Sequence, residues 1–189
     1  MEDIIEDKTF TGIDFSSQNF EMADYENCTF KDCNLSNQNL NKLTFTDCVF
    51  INCDLSLAKL DGTALKSVEF KNCKLLGLNF SHCKTFLLAF SFTNCQLNMA
   101  SFYQLTIKST SFKDCKLCEV DFTEADLSNV QFNNCDLSQA IFEQTNLEKA
   151  DFRTAYHYAI NPALNQLKKA RFSSQEVIGL LNHLDIIIE

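Results

Sequence analysis

A three-residue phrase, cysteine then a polar residue then leucine, recurs along this chain at fixed intervals, and no other feature limits the fold so tightly. It occurs as Cys33-Asn34-Leu35, Cys53-Asp54-Leu55, Cys73-Lys74-Leu75, Cys95-Gln96-Leu97, Cys115-Lys116-Leu117 and Cys135-Asp136-Leu137. The step is 20 residues each time, except for 22 between Cys73 and Cys95. One structural unit therefore repeats through most of the chain, with a single two-residue slip.

Inside each unit a large apolar residue stands at every fifth position, from Phe10 to Phe80 and again from Leu87 to Phe152. Sorted by unit, these centres form four columns. The first runs through Phe10, Phe30, Phe50, Phe70, Phe92, Phe112, Phe132 and Phe152, and the second from Phe15 through Leu35, Leu55, Leu75, Leu97 and Leu117 to Leu137. The third runs from Phe20 to Phe142, and the fourth through Tyr25, Phe45, Leu65, Leu87, Ile107, Leu127 and Leu147. A period of five fits neither an amphipathic helix nor a half-buried strand. It fits a coil with four sides, five residues to a side, one large side chain turned inward on each. A smaller residue two places before each centre, such as Ala58, Val68, Ala100, Val120 or a cysteine, also faces in. Asp, Asn, Ser, Thr and Lys take the remaining positions, where groups face water or close corners.

Phrases such as Glu124-Ala125-Asp126-Leu127-Ser128 and Lys149-Ala150-Asp151-Phe152-Arg153 resemble the repeat unit of the pentapeptide-repeat family over about residues 8–155. The resemblance implies an all-β solenoid, a right-handed quadrilateral β-helix of about eight 20-residue coils. On this reading the β-helix covers residues 1–172, with the slip at 81–91 and a decorated last coil at 153–172. Residues 173–189 form the closing segment. Ser173-Ser174-Gln175-Glu176 reads as a capping box, Val177, Ile178, Leu180, Leu181 and Leu184 follow at helical spacing, and 185–189 reads as a short strand. A closing piece is needed because a β-helix ends in unpaired backbone groups and an open apolar interior. The slip is apolar for a loop, so Phe86 or Phe90 is expected to tuck beneath it as extra core. An exposed contact patch is the alternative.

Nine of the ten cysteines fall at the small inward position, and Cys118 stands just after a centre. Stacked coils lie about 4.8 Å apart, within reach of a disulfide by Cα distance. Parallel side chains keep their β-carbons near that spacing, however, wider than the roughly 3.8 Å disulfides prefer. The expectation is buried free thiols acting as small hydrophobes. A line of thiols also fails to converge four ligands as structural zinc requires, so neither a metal nor another cofactor is expected. Met1 to Phe10 lack the basic and apolar regions of a signal peptide, and no run approaches 18 apolar residues. The expected setting is the cytoplasm, away from membranes.

The net charge of −9 is unevenly distributed. Residues 1–63 carry 12 acidic and 4 basic groups, 64–118 carry 2 and 7, and 119–152 carry 8 and 1. An acidic rod is thus interrupted by a basic belt that includes Lys66, Lys84 and Lys108. Direct nucleic-acid binding is disfavoured, because it depends on Lys and Arg neutralising phosphates. No catalytic constellation is evident. His82, His157 and His183 lie in different contexts, and serines such as Ser128 and Ser138 are repeat positions with no base placed to activate them. The chain reads as a non-enzyme.

Two functions are left. The resemblance is to the quinolone-resistance branch of the family, which implies a dimeric acidic rod, similar to duplex DNA in width and charge, that engages the DNA-binding saddle of gyrase or topoisomerase IV. It implies a homodimer through the tail residues Val177, Ile178, Leu181 and Leu184. The expected partner surface is Asp121, Glu124, Asp126, Glu143 and Glu148, on the third and fourth columns near that junction. The alternative is a general interaction scaffold with some other partner, since a fold does not fix a function.

Overall fold

The computed structural model describes residues 3–18, 20–184 and 186–187. Short parallel strands stack in two sheets. One is four-stranded, built from Ile4–Glu6, Asp24–Glu26, Thr44–Thr46 and Ala64–Lys66. The other is nine-stranded and runs from Thr9–Thr11 to Arg171–Phe172. Phe10 pairs with Phe30, Phe30 with Phe50 and Phe50 with Phe70, so the 20-residue step is the hydrogen-bonding register itself. Single parallel bridges, such as Asn34 to Asp54 and Ser101 to Asp121, carry the two remaining sides. The result is a parallel β-solenoid of about eight turns.

Corners set the five-residue period. Among the described residues twenty-five other than glycine adopt positive φ, most of them at five-residue intervals. The left-handed region is least costly for Asn, Asp and Gly, and those types recur at the corner after the first column. There the side chains also stack. Asn52 Nδ2 donates to Asp32 Oδ1 at 2.8 Å, Asn72 to Asn52 at 3.1 Å and Asn94 to Asn72 at 2.9 Å.

Inside, like side chains lie on like. Rings of the first column stack with centroids between 4.7 Å (Phe30–Phe50) and 5.3 Å (Phe70–Phe92), nearly parallel. Across the interior they meet third-column rings edge-on, as Phe112 meets Phe102 at 5.9 Å and 85°. Both geometries are the favourable ones for aromatic quadrupoles. At the first coil Phe15 and Phe20 stand where the next coil has Leu35 and Leu40 and pack edge to face at 4.8 Å, which closes the interior with rings.

All ten cysteines are free, nine of them buried. Their thiols donate weakly to backbone carbonyls, Cys53 Sγ to Phe30 O and to Ile51 O at 3.3 Å each. Burial pushes the Cys48 thiol up to about 11 and Cys83 up to about 12. Because the thiolate is the reactive form, native labelling with a thiol reagent should modify half-buried Cys118 first. Its thiol too is held above the ordinary value, by partial burial and the Asp136 carboxylate, so its rate should climb as pH rises. Rapid native labelling of Cys53, Cys73 and Cys95 would contradict the assigned register.

The slip resolves both ways. Ala64 bridges Lys84 at the 20-residue step, whereas Val68 pairs with Phe90 at 22, so the extra residues lie between Lys84 and Phe90. Phe90 is 6% exposed and its ring lies 5.4 Å from Phe80 and 5.2 Å from Phe92. Phe86 is outside, 75% exposed. Leu87 does not join the fourth column as its spacing implies. It is 63% exposed at a corner with φ 58°, and Phe90 supplies the interior side chain of that coil instead.

The closing segment also differs in detail. Ser173 Oγ accepts from the Glu176 amide at 3.1 Å, as a cap does, but the Glu176 carboxylate accepts from the His157 amide at 3.4 Å rather than from Ser173. The expected helix takes the form of two 3-10 turns, Val177–Leu180 and Asn182–Leu184. The Gly179 carbonyl accepts from the Ile160 amide at 2.9 Å, which ties the tail to the end of the rod. A Cβ on Gly179 would lie 2.2 Å from the Tyr158 carbonyl oxygen, so only glycine lets the tail seat on the rod. Of the strand expected at 185–189, residues 185, 188 and 189 lie outside the described residues.

Candidate partner-binding surfaces

The solenoid gathers the five expected acids onto two adjoining sides and their shared corner, within two consecutive coils. Asp121 bridges Ser101 and Ile141 on the third side, where Glu143 is also exposed. Glu124 occupies the corner with φ 58°, one coil above Gln104, whose Nε2 donates to Glu124 Oε2 at 2.8 Å. Asp126 and Glu148 are on the fourth side.

They are not equally available. Asp126 Oδ1 accepts from the Ser128 amide at 3.0 Å and from Asn146 Nδ2 at 3.1 Å, while Oδ2 lies 3.1 Å from Lys108 Nζ. Partial burial opposes ionisation of Asp126, but these bonds and the Lys108 ammonium prevail and hold the carboxyl below its ordinary value. Glu148 lies 3.6 Å from Lys149 Nζ, and Asp121 Oδ1 accepts from the Thr123 amide at 2.9 Å. Glu124 and Glu143 are the most exposed of the set. Towards the other end, Asp24 accepts from the Thr44 amide at 3.1 Å and Asp61 lies 2.7 Å from His82 Nδ1.

At the closed end Val177, Ile178, Leu181 and Leu184 are all exposed, together with Ile186 and Ile187. Leu180 is the tail residue that packs against the interior. A cleft of about 330 Å³ lies beside the tail, lined in part by Ile141, Leu164, Gly179 and His183. This apolar end is larger than a lid needs.

One polar cluster was not legible in the sequence. Ser138, expected to lack a neighbouring base, has its Oγ 3.2 Å from His157 Nδ1, and Asp136 Oδ1 lies 3.1 Å from the same nitrogen. The 19-residue separation, one coil less one residue, was the signal. The wiring is not that of an activated serine, because hydroxyl and carboxylate share one ring nitrogen, whereas a relay needs one on each. Ser138 Oγ donates to Asp136 Oδ1 at 2.6 Å. Partial burial works against ionisation of Asp136, but the bonds from Ser138 and His157 outweigh it and keep the carboxyl below its ordinary value. The next residue, Tyr158, is buried against Phe152 and Phe172 at 5.6 Å each and helps close the rod. Among the described residues no helix is long and apolar enough to cross a membrane.

Comparison with known proteins agrees with the repeat. No curated sequence matches. Two solved structures of trypsin-treated variants of QnrB1, a plasmid-mediated fluoroquinolone resistance protein, are similar. One has a TM-score of 0.52 at 19% identity, covering 98% of this chain and 99% of that one. The other has a TM-score of 0.50 at 20% identity, covering 97% and 99%. At such identity the likeness is one of fold. The sequence model of the pentapeptide repeat region matches residues 23–91 and 85–156, which together span most of the chain. This protein is therefore a member of the pentapeptide repeat family.

Proposed function

We propose that this protein is a non-enzymatic interaction protein of the cytoplasm, a dimer joined at its C-terminal end, that binds a type II topoisomerase, gyrase or topoisomerase IV, where DNA would lie. The observation that carries this reading is the density of the acidic shoulder. Duplex DNA presents one negative charge per roughly 1.7 Å of axis. Averaged along a rod of about 40 Å, the whole chain offers one net charge per roughly 4 Å, too sparse to stand in for DNA. Over the two coils that hold Asp121, Glu124, Asp126, Glu143 and Glu148 the spacing falls to roughly 2 Å before ion pairing. Charge of DNA-like density thus lies on a shoulder beside the exposed apolar end. Joining two copies at that end would place two such shoulders at the centre of a longer rod. The shared fold with a fluoroquinolone resistance protein supports the same choice of partner.

The test is a gyrase supercoiling assay, with and without a fluoroquinolone, across a range of protein concentrations. The expected result is a dose-dependent change in supercoiling or in drug inhibition. No effect in either arm would favour a scaffold with an unrelated partner.

A further inference from the structure

The extruded slip is a feature that an acidic DNA-like rod does not need. Every described coil but one fills the fourth side with a buried or, at Leu167, partly buried apolar side chain, among them Tyr25, Phe45, Leu65, Ile107, Leu127 and Leu147. In the remaining coil Thr85 follows Lys84 at the 20-residue register and is exposed. The chain then places Phe86 and Leu87 outward before Phe90 turns in. Exchanging Thr85 with Phe86 would bring a phenyl to the interior register, so the exposed ring is not forced by the repeat. Phe86 and Leu87 are adjacent and both exposed, so they form a contiguous apolar patch, the kind of feature that marks a contact site when it is rimmed by polar groups.

Its surroundings define the chemistry. Lys66 ends the strand Ala64–Lys66 on the coil below, Lys84 bridges Ala64 on the same side, and Lys108 belongs to the fourth side of the coil above. Lys108 reaches Asp126, while Lys66 and Lys84 make no ion pair among the described residues. The cationic stretch covers only these three coils, roughly 10 Å between its outer members. Acids flank it on the same side, Asp24, Glu26 and Asp47 towards the start and Asp126 and Glu148 towards the end. A long polyanion such as a nucleic acid would run into those flanks, whereas a short acidic stretch would not.

We infer that Phe86 and Leu87, with Lys66, Lys84 and Lys108, form a second docking surface for a short acidic protein segment that carries apolar side chains. Phe86 is the central anchor and the lysines supply register and steering. The surface differs in sign from the acidic shoulder, so it takes a different partner, or a different part of the same one.

The experiment uses the full chain and a short fluorescein-labelled peptide of Asp and Glu with two adjacent leucines, read by fluorescence anisotropy at low salt. Binding is expected, weakened roughly tenfold or more by Phe86→Ser and by Lys84→Glu, and weakened also when the peptide leucines become serine. Both protein variants should keep the native melting midpoint, since both side chains are exposed. Absence of peptide binding at low salt, or indifference to Phe86→Ser, would overturn the inference. So would equal or tighter binding of a short oligothymidine, which would make the surface a nucleic-acid site. A change in sedimentation of Phe86→Ser without peptide would reassign it to contact between copies. Gyrase binding should be unaltered by Phe86→Ser, which separates this inference from the topoisomerase reading.

Discussion

Replacing Phe112 with alanine should destabilise the protein by about 3 to 5 kcal/mol, the usual cost of emptying a buried phenylalanine site. The ring is wholly buried, stacked at 5.1 Å on Phe92 and 5.3 Å on Phe132, and edge-on to Phe102 and Phe122 at 5.9 and 6.2 Å. Alanine would leave a void walled by four rings that are themselves held by the coils above and below. Such a site collapses poorly, which places the cost at the upper end of the range. Lys113 is the next residue and faces water, so Lys113→Ala should shift stability by less than about 0.5 kcal/mol. Urea melts of the two variants decide the matter. Equal midpoints would mean that the inward register is wrong.

Changing Leu181 and Leu184 together to glutamate should convert a dimer to a folded monomer. Both side chains are exposed in the single chain and hold nothing of its interior, whereas Gly179 and Leu180 seat the tail on the rod. Four like charges brought across a twofold contact would cost far more than one apolar patch returns. The melting midpoint extrapolated to low concentration should be unchanged, because the solenoid is untouched. Gly179→Val provides the contrast. Its side chain would meet the Tyr158 carbonyl oxygen and ring, so the tail must leave its seat, and association and local stability should fall together. Sedimentation of the native chain as a monomer at micromolar concentration would refute the end-to-end dimer.

Much of this architecture is legible from the sequence because a five-residue period states directly which side chain faces in. The buried Phe112, Leu117, Phe122 and Leu127 are simply successive centres. The slip is less legible, because Phe86 and Phe90 are equally apolar and only the pairing of Val68 with Phe90 decides which is core. The seat of the tail is not legible either, because it depends on the Gly179 carbonyl accepting from the Ile160 amide across the rod end. Charge is legible as a column but not as an available charge. Asp126 reads like Glu124 in sequence, yet a lysine 18 residues earlier and one coil away reaches its carboxylate. The Ser138–His157 contact was hidden for the same reason, since it runs between coils at a step that is not quite the repeat.

Those differences select the residues for the most direct test of the topoisomerase reading. Glu124 and Glu143 are the exposed members of the acidic shoulder, so reversing both to lysine should remove charge without breaking the Asp126–Lys108 pair or the fold. Binding to the gyrase A-subunit dimer, measured at low and high salt, should be clear for the native chain at low salt and should fall as ionic strength rises. The reversed chain should bind roughly tenfold more weakly or worse, with a shallower salt dependence. If the native chain does not bind at low salt, or if Glu124→Lys with Glu143→Lys binds as tightly as the native chain, the acidic shoulder serves solubility and the proposed function is wrong.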